Sequence, residues 1–506
     1  MFNEEGPAKA SASVDPTATE MQESARNTPS RPGTSMTERS GEIDPFVIKR
    51  NGQLWHESVP YRFASFNAPE LLDNDVWEVK DTMRTLSGFS RRVTRTYTLQ
   101  VKSWRVSRGH INAWSETRQD WEYDEAHFVK IDHVLALARQ YQVKLIIPII
   151  NQDYGQEGTN WVGNFTDLIR LRTGKSYEEV HASIDWWTDK ACIDSFKKII
   201  TYLLNRVNTV NGVRYGDDAT ILAWETGNEM NLGGKAPAPG SWTVTIAQHI
   251  KTLAPRSLVM DGSYSRNDDI IKSYPSEVLG SPDVDILSYH YYGAGEAKRI
   301  RKDIELAKKH DKIFVAGEFG FFHDPAEFAT FTASVKAAGG AGCLVWSLRP
   351  HSVQGGFKTH GEGDGIFSYH VPGWAPRADE FDPREAAIVH TIRQASYELN
   401  RERVPPHPTP PPPDKVWLID NGAAMTWLGS AWAASYEIWV AGEHGQQEWT
   451  LCQAGHLINV QAGKHSYPIP QHLQRAKEVA FLVRGIGVDG HIGAWSTPCI
   501  ADPTAA

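Results

Sequence analysis

The sequence has few of the features that mark specialised classes of protein. It has 4 cysteines in 506 residues, none in CxxC spacing, which argues against a disulfide scaffold and a structural zinc site. Its 19 histidines show no HExxH-type spacing, and we expect no metal and no cofactor. The formal net charge is −9 and no long basic run occurs, so nucleic acid is not an expected partner. No apolar run reaches the length of a membrane span, so we expect no membrane partner. We also expect the protein to be a monomer.

The N-terminal region lacks large apolar side chains. Residues 1–40 are rich in Ser, Thr, Pro and Glu and are predicted to be disordered, because they cannot bury enough surface to offset the entropy of ordering. This region contains no apolar segment typical of a secretory signal, which leaves the compartment open. Cys452 and Cys499 share the C-terminal region and either pair in an oxidising compartment or stay as buried thiols.

The sequence does contain a series of short apolar runs separated by amphipathic stretches. Eight such runs end near Phe66, Thr96, Ile150, Glu229, Asp261, Tyr292, Glu318 and Trp346. Apolar residues recur at helical spacing between them, as in 124–141 and 189–208, and Asp124 is a candidate helix N-cap. Eight strand–helix units in about 360 residues predict an α/β fold, a closed (β/α)8 TIM barrel over residues 41–402. A doubly wound sheet is the alternative, but no GxGxxG turn follows these strands.

The C-terminal part has a different pattern. Residues 403–414 are dense in proline, which predicts an extended, semi-rigid linker. Residues 415–506 contain short alternating runs between glycine-rich turns, including 424–428, 434–440 and 479–487. This pattern predicts an antiparallel β-sandwich.

Two of the barrel strands are followed by a glutamate. Glu229 ends the run that begins at Ile221, and Glu318 ends the run that begins at Phe314. The C-terminal ends of barrel strands face the mouth of the barrel, where active sites are built. A pair of carboxyl groups at that place suits glycoside hydrolysis. This reaction needs one carboxyl group to protonate the leaving oxygen and one carboxylate to attack or to activate water. Glu225 lies in the same run as Glu229, and we interpret it as a structural carboxylate that points to the same side of the strand, one layer deeper.

The residues around these glutamates resemble glycoside hydrolase family 5, a family of retaining barrel enzymes. The resemblance rests on Asn228-Glu229, His290 and Tyr292 in SYHYY, Glu318 in GEFG, Trp346 on the eighth strand and Arg95 on the second. Residues 45–400 are similar to the endo-β-1,4-mannanases of fungi and plants within that family, as in LNRVNT, YGDDATILAWE and FASFNA. The tail resembles a fibronectin type III domain, with Trp427, SYEIWV and a closing GAWSTP.

The resemblance implies a role for each of these side chains. Glu229 is the expected acid/base and Glu318 the expected nucleophile. Arg95 and Tyr292 are expected to donate to Glu318 and keep it ionised. The remaining three are expected to bind substrate or to orient the acid/base, Asn228 at the sugar 2-hydroxyl, His290 beside Glu229 and Trp346 beneath the reacting sugar. The implied substrate is a β-linked mannan-type polysaccharide, and the implied compartment is extracellular.

The sequence departs from the family pattern in several places. Met230 follows the acid/base where proline is usual, and the third strand ends in NQDYG rather than paired asparagines and a tryptophan. An aromatic insertion spans 160–187, and a second long loop spans 351–374. These loops leave open an exo-acting β-mannosidase, a transglycosylase or a β-1,4-glucanase of the same barrel, and also a sugar-binding protein without activity. None of these departures from the family pattern replaces Glu229 or Glu318.

Overall fold

The structure is a computed structural model, and it describes residues 44–232, 237–262, 269–293, 297–360, 368–373, 384–441, 449–458, 462–474 and 479–501. From Asp44 onward the chain forms one compact unit. The disorder predicted for residues 1–40 lies outside the described residues, as do residues 361–367 and 374 of the predicted loop 351–374.

An eight-stranded parallel sheet forms the centre of the molecule, which confirms the predicted TIM barrel. The barrel strands, numbered one to eight in chain order, are Phe63–Phe66, Val93–Arg95, Lys144–Pro148, Ile221–Glu225, Leu258–Met260, Ile286–Tyr292, Ile313–Gly320 and Gly342–Val345. In space they follow the order 1-8-7-6-5-4-3-2. The gap between strands one and two is bridged where the Ala68 amide donates to the Arg95 carbonyl at 2.9 Å. Each of the eight predicted apolar runs therefore contains one barrel strand.

Helices follow the strands and pack outside them. Their bounds are Val76–Leu86, Glu125–Tyr141, Phe165–Thr173, Tyr177–Ser183, Lys190–Asn205, Gly240–Leu253, Ile270–Ser273, Ser276–Gly280, Ile300–Lys309, Pro325–Ala338 and Glu385–Glu398, with a 3-10 turn at Tyr215–Asp217. The Asp124 carboxylate accepts from the His127 amide and caps its helix, as predicted. Such a cap satisfies an amide that has no partner within the helix. No helix in the described residues is long and apolar enough to cross a bilayer.

Short strands close the N-terminal end of the barrel. A three-stranded antiparallel sheet of Val47–Arg50, Gln53–His56 and Val59–Pro60 packs Val47 and Leu54 into a cluster with residues of all eight barrel strands. A second hairpin, Ile111–Ser115 with Asp120–Tyr123, belongs instead to the loop between strand two and its helix, and such loops lie at the opposite, C-terminal end. Because one end of the barrel is filled with apolar side chains, any substrate must enter from the C-terminal end of the strands.

The C-terminal residues form two antiparallel sheets. One contains Val416–Ile419, Ala424–Trp427 and Tyr467–Pro468, and the other contains Thr450–His456, Ala433–Ala441, Val479–Gly487 and Cys499–Ala501. A 3-10 turn at Asp420–Gly422 and a short helix at Gln471–Gln474 complete them. Cys452 and Cys499 are both free thiols in this structure, Cys499 buried and Cys452 partly buried. The fibronectin type III resemblance stays a prediction.

The segment before these sheets contacts the barrel along its length. The Arg393 guanidinium donates to the carbonyls of Pro405 and Pro406 at 2.8 and 2.9 Å. The Asp414 carboxylate accepts from Arg84 at 2.6 Å and lies 3.4 Å from Lys80. Residues 403–414 form no helix or strand. Their backbone carbonyls at Pro405 and Pro406 and the Asp414 carboxylate are nevertheless hydrogen-bonded to the barrel.

Candidate active site

The structure brings the seven predicted site residues to the C-terminal mouth of the barrel. Arg95 is the last residue of strand two, and Glu318 lies near the end of strand seven. His290 and Tyr292 are on strand six, and Trp346 directly follows strand eight. Asn228 and Glu229 lie on a separate short strand, Asn228–Leu232, which pairs in parallel with Asn151–Asp153.

This separate strand corrects one prediction. Glu225 and Glu229 were expected to point the same way within one strand, but strand four ends at Glu225. The chain then turns at Thr226 and Gly227, and Glu229 adopts a left-handed backbone with φ of 48°. The period-two rule that predicted the orientation of Glu225 applies only within a continuous strand. Glu225 binds Arg95, and its structural role stays a prediction.

Arg95 links the two halves of the site. Its guanidinium is fully buried and donates to Glu225 at 2.6 and 3.0 Å, to Glu318 at 2.7 Å and to the Asn228 side-chain oxygen at 2.8 Å. Burial alone lowers the pKa of Arg95, but the charges of Glu225 and Glu318 more than reverse this effect. The bidentate contact with Glu225 fixes the orientation of the guanidinium, and its remaining N–H groups then position the side chains of Glu318 and Asn228.

Glu229 and Glu318 face each other across a short gap. One carboxylate oxygen of each residue and one ring nitrogen of His290 lie within 4.8 Å of one another. The His290 Nδ1 atom is 2.8 Å from Glu229 Oε1 and 3.5 Å from Glu318 Oε2. The Tyr292 hydroxyl donates to Glu318, and the Gln152 amide donates to Glu229. Both carboxyl groups are therefore oriented by protein donors.

The titration of this cluster is strongly perturbed. Burial raises the pKa of Glu318 above its usual value, and Glu229 raises it further, whereas His290, Arg95 and Tyr292 act in the opposite direction. The contacts expected to keep Glu318 ionised are present, but burial outweighs them. Burial lowers the pKa of His290, but the charges of Glu318 and Glu229 outweigh that effect and the net pKa is raised. Perturbed groups of this kind concentrate at functional sites.

Aromatic rings line one side of the site. Tyr97 and Trp346 are buried, with ring centroids 5.8 Å apart. Trp161 stacks on Tyr97 at 5.0 Å with an interplanar angle of 16°. Tyr292 stacks on Phe321 at 4.3 Å. Flat apolar rings beside paired carboxylates suit the C–H faces of a pyranose ring.

Several residues of the site escaped the sequence analysis. Asn151 accepts from the Asn228 side-chain amide at 2.9 Å, and the Tyr97 hydroxyl lies 3.2 Å from the same amide. The Tyr154 hydroxyl lies 3.2 Å from that of Tyr97. Tyr97 was detectable, because it lies two residues after Arg95 and so continues the polar end of strand two. The contact between Gln152 and Glu229 was not, because it depends on the short strand that leaves strand three.

The described residues contain one group of three side chains spaced to hold a cation, namely Glu229, His290 and Glu318. The guanidinium of Arg95 already lies 2.7 Å from Glu318 and opposes a second positive charge there. The donor set suits proton transfer better than metal binding, and the absence of a metal stays a prediction.

A barrel with two facing carboxylates at its mouth, an arginine beneath them and aromatic walls is the architecture of a glycoside-cleaving enzyme. Comparison with known proteins agrees. The model of a family described as GH family 5 beta-mannosidase-like matches residues 110–295, a little over a third of the chain.

The chain is similar in sequence to mannan endo-1,4-beta-mannosidases of plants. The putative mannan endo-1,4-beta-mannosidase 5 of Oryza sativa subsp. japonica is 26% identical over 331 residues, which are 54% of this chain and 63% of that protein. The chain thus spans less than two thirds of that relative's length. Mannan endo-1,4-beta-mannosidase 7 of Arabidopsis thaliana is 28% identical over 310 residues, which are 58% of this chain and 69% of that protein.

Solved structures share the fold. The endo-1,4-beta-mannanase of Rhizomucor miehei has a TM-score of 0.56 at 21% identity and covers 70% of this chain and 99% of its own. A glycoside hydrolase family 5 mannosidase from the same organism has a TM-score of 0.53 at 17% identity and covers 71% of this chain and 98% of its own. The relatives, the family match and the shared barrel support a glycosidase similar to the mannan endo-1,4-beta-mannosidases.

Proposed function

We propose that this protein is a retaining glycoside hydrolase that cleaves β-1,4-mannosidic linkages of mannan-type polysaccharides. The observation that carries the proposal is the closeness of Glu229 and Glu318, which place one carboxylate oxygen of each within 4.8 Å of the other. Retaining glycosidases place their carboxyl groups about 5–5.5 Å apart, whereas inverting enzymes separate them by about 6.5–9.5 Å to admit a water. The short spacing favours covalent attack over direct hydrolysis.

The proposed reaction has two displacements. Glu318 attacks the anomeric carbon and forms a glycosyl ester, while Glu229 protonates the glycosidic oxygen so that the leaving sugar departs as an alcohol. Glu229, now a carboxylate, removes a proton from water, and the hydroxide breaks the ester with a second inversion. The anomeric configuration is therefore retained.

The surrounding residues suit these steps. Arg95 and Tyr292 bind the Glu318 carboxylate and stabilise it as the leaving group of the second step. His290 and Gln152 contact the two oxygens of Glu229 and fix its direction toward the cleft. We propose that Asn228, held by Arg95 and Asn151, binds the sugar 2-hydroxyl, and that Trp346 lies under the reacting ring.

The choice of mannan over glucan rests on the two plant relatives described above, both of which are named for mannan. Their identities of 26% and 28% leave the cleavage mode to experiment, so an exo-acting β-mannosidase, a transglycosylase and a β-1,4-glucanase remain alternatives. Products released from mannopentaose, glucomannan and cellopentaose separate them. A mixture of short mannooligosaccharides supports endo cleavage, and release of mannose alone supports exo cleavage. Binding without any product supports a sugar-binding protein.

Chemical rescue tests the two roles. Glu318→Ala and Glu229→Ala should each lose at least about 10³-fold in kcat on mannooligosaccharides, because each removes a group that acts in the transition state. With azide as an external nucleophile, Glu318→Ala should form the α-mannosyl azide and Glu229→Ala the β-mannosyl azide, because the azide enters in place of a different group in each variant.

The matched control is Glu116→Ala, which truncates an exposed glutamate on the loop of the second hairpin. Its kcat should equal that of the unaltered protein. The role assignment is wrong if either active-site variant keeps turnover within tenfold of the unaltered chain, or if the azide products appear with the two configurations exchanged.

A further inference from the structure

The insertion 160–187 is attached to the active-site strands by a buried carboxylate. Asp153 is the last residue of the short strand Asn151–Asp153 and has no exposed surface. It accepts from the Tyr177 hydroxyl at 2.6 Å, from the Thr166 hydroxyl and from the Gly155 amide at 2.7 Å. The His181 Nε2 atom lies 2.7 Å from the same carboxylate. Three of these partners belong to the two helices of the insertion.

A buried carboxylate is costly unless all its oxygens are bonded. Asp153 satisfies both of its oxygens with donors from the insertion and its own loop, and no hydrogen bond or ion pair of the described residues joins it to Glu229 or Glu318. Its position directly after Gln152 means that the anchor of the insertion adjoins a residue that contacts Glu229. The insertion is therefore hydrogen-bonded to a residue next to the active site.

The first residues of the insertion are fixed independently. The Asn160 side-chain amide donates to the Gln152 carbonyl at 3.0 Å, and the Val101 amide donates to the Val162 carbonyl at 2.8 Å. Gly163 has a φ of 75°, and a β-carbon there would lie 2.3 Å from the Val101 carbonyl oxygen. The backbone on both sides of Trp161 is thus fastened to the barrel.

Trp161 lies between these two attached residues, Asn160 and Val162. Its ring lies parallel to that of Tyr97, while the residue as a whole is only partly buried. Tyr97 in turn contacts Trp346 and places its hydroxyl 3.2 Å from the Asn228 amide. A series of contacting aromatic rings therefore runs from Asn228, the neighbour of Glu229, outward to Trp161.

We propose that Trp161 is a stacking platform for a second sugar unit of the β-linked chain, next to the unit that reacts. The proposal rests on the proposed function and adds to it a binding subsite and the device that holds it. Indole rings bind sugar C–H faces through apolar contact, and a flat partner such as Tyr97 keeps the ring from rotating. Asp153 is then a positioning residue, because it acts through the insertion and not on the substrate.

Substrate length provides the test. β-Mannosyl fluoride has one sugar and a leaving group too small to reach a second subsite, whereas mannotetraose occupies several. In the full chain, Trp161→Ala should lower kcat/KM for mannotetraose about tenfold, the equivalent of about 1.4 kcal/mol, and change kcat/KM for the fluoride less than twofold. Trp161→Phe should restore most of the loss. Trp104→Ala, at an exposed tryptophan, is the matched control and should change neither value.

A double-mutant cycle tests the positioning role of the anchor. Tyr177→Phe removes one hydrogen bond from Asp153 and keeps the ring, so it is milder than any change of the carboxylate itself. It should lower kcat/KM for mannotetraose and spare the fluoride, and its effect should largely disappear in the Trp161→Ala background. Additive effects would show that the anchor does not act through Trp161.

The outcomes separate this proposal from the proposed function. If the unaltered protein cleaves both substrates and Trp161→Ala changes both equally or neither, the platform is wrong while the proposed function stands. If Trp104→Ala shows the length-dependent loss instead, the subsite lies elsewhere. If the unaltered protein cleaves neither substrate, the proposed function fails, and the platform fails with it unless Trp161→Ala weakens mannotetraose binding to the Glu318→Ala variant in calorimetry.

Discussion

At the scale of single residues, charge and burial oppose each other at Glu318. The carboxyl is 4% exposed and yet contacts Arg95 and Tyr292. Because the net pKa is raised, the folded protein binds the proton of this carboxyl more tightly than the unfolded chain does. His290 behaves in the same way, because its pKa is also raised. Folding therefore takes up protons at this site.

A pH dependence of stability follows. A raised folded-state pKa contributes stability that is complete below the unfolded-state pKa and is lost as the pH rises through the folded-state value. For Glu318 the loss begins above its ordinary pKa of 4.5, and for His290 above 6.5. Glu318→Gln mimics the protonated carboxyl, so its melting temperature should exceed that of the unaltered protein at pH 8 and the difference should shrink toward pH 4.

Calorimetric melting curves from pH 4 to pH 8 measure this difference. Glu116→Gln, at an exposed position, provides the control and should follow the unaltered protein at every pH. If Glu318→Gln is less stable than the unaltered chain at pH 8, the Arg95 contact outweighs burial, and the pKa of Glu318 is lowered instead.

Much of the site could be predicted residue by residue. Glu229, Glu318, Arg95, Asn228, His290 and Tyr292 each follow or end an apolar run, and parallel strands of a barrel bring such positions together. Gln152 and Tyr97 were missed because side-chain contact depends on local geometry that periodicity does not encode. The expectation that Glu225 and Glu229 share one strand was wrong, because the alternation of residues along the run does not show that strand four ends at Glu225.

At the scale of elements, the break after strand four positions Glu229. The Asn228 amide donates to the Ile150 carbonyl at 2.8 Å, and the Met230 amide donates to the Gly262 carbonyl at 2.9 Å. A β-carbon on Gly262 would lie 1.7 Å from the Gly227 carbonyl oxygen. The close approach of these two glycines therefore allows the chain to leave the barrel sheet and carry Glu229 over the mouth.

Gly262→Ala should separate these segments. We expect a loss of about 1–3 kcal/mol in the free energy of unfolding, because the added carbon overpacks backbone against backbone. Activity on mannooligosaccharides should fall more than tenfold, because Glu229 moves relative to Glu318. Urea unfolding and steady-state kinetics measure the two effects.

Gly280→Ala is the matched control, since a β-carbon at Gly280 meets no atom within 4 Å. It should leave both the free energy of unfolding and the activity unchanged. Full activity in Gly262→Ala would show that the position of Glu229 does not depend on this contact.

At the scale of the whole molecule, the C-terminal sheets are joined to the barrel by a buried tryptophan. Trp432 is 1% exposed, its Nε1 donates to the Thr85 carbonyl at 3.1 Å, and its ring lies 5.9 Å from that of Phe89. A β-carbon on Gly88 would lie 2.1 Å from the Trp432 ring. The density of proline in residues 403–414 predicts a semi-rigid connection. The hydrogen bond of Arg393 to Pro405 and the ion pair of Asp414 with Arg84 attach this connection to the barrel.

This contact predicts shared stability. Trp432→Ala should lower the free energy of unfolding by about 3–5 kcal/mol, because it leaves a cavity between the barrel and the sheets. In calorimetry the unaltered protein should unfold in one transition, and the variant should show a lower or divided transition. Trp104→Ala, at a tryptophan that is 73% exposed, should leave the curve unchanged. Two separate transitions in the unaltered protein would contradict the joint unit.

The central claim is that Glu318 bonds covalently to the substrate sugar. The most direct measurement is mass spectrometry of the protein after incubation with 2-deoxy-2-fluoro-β-mannosyl fluoride, whose ring fluorine slows both steps while its leaving group speeds the first. The account predicts one added deoxyfluoromannosyl group per chain, located at Glu318 by peptide mapping and absent from Glu318→Gln. A label on Glu229 or Glu225, or cleavage of mannooligosaccharides with inverted anomeric configuration and no label, would contradict it.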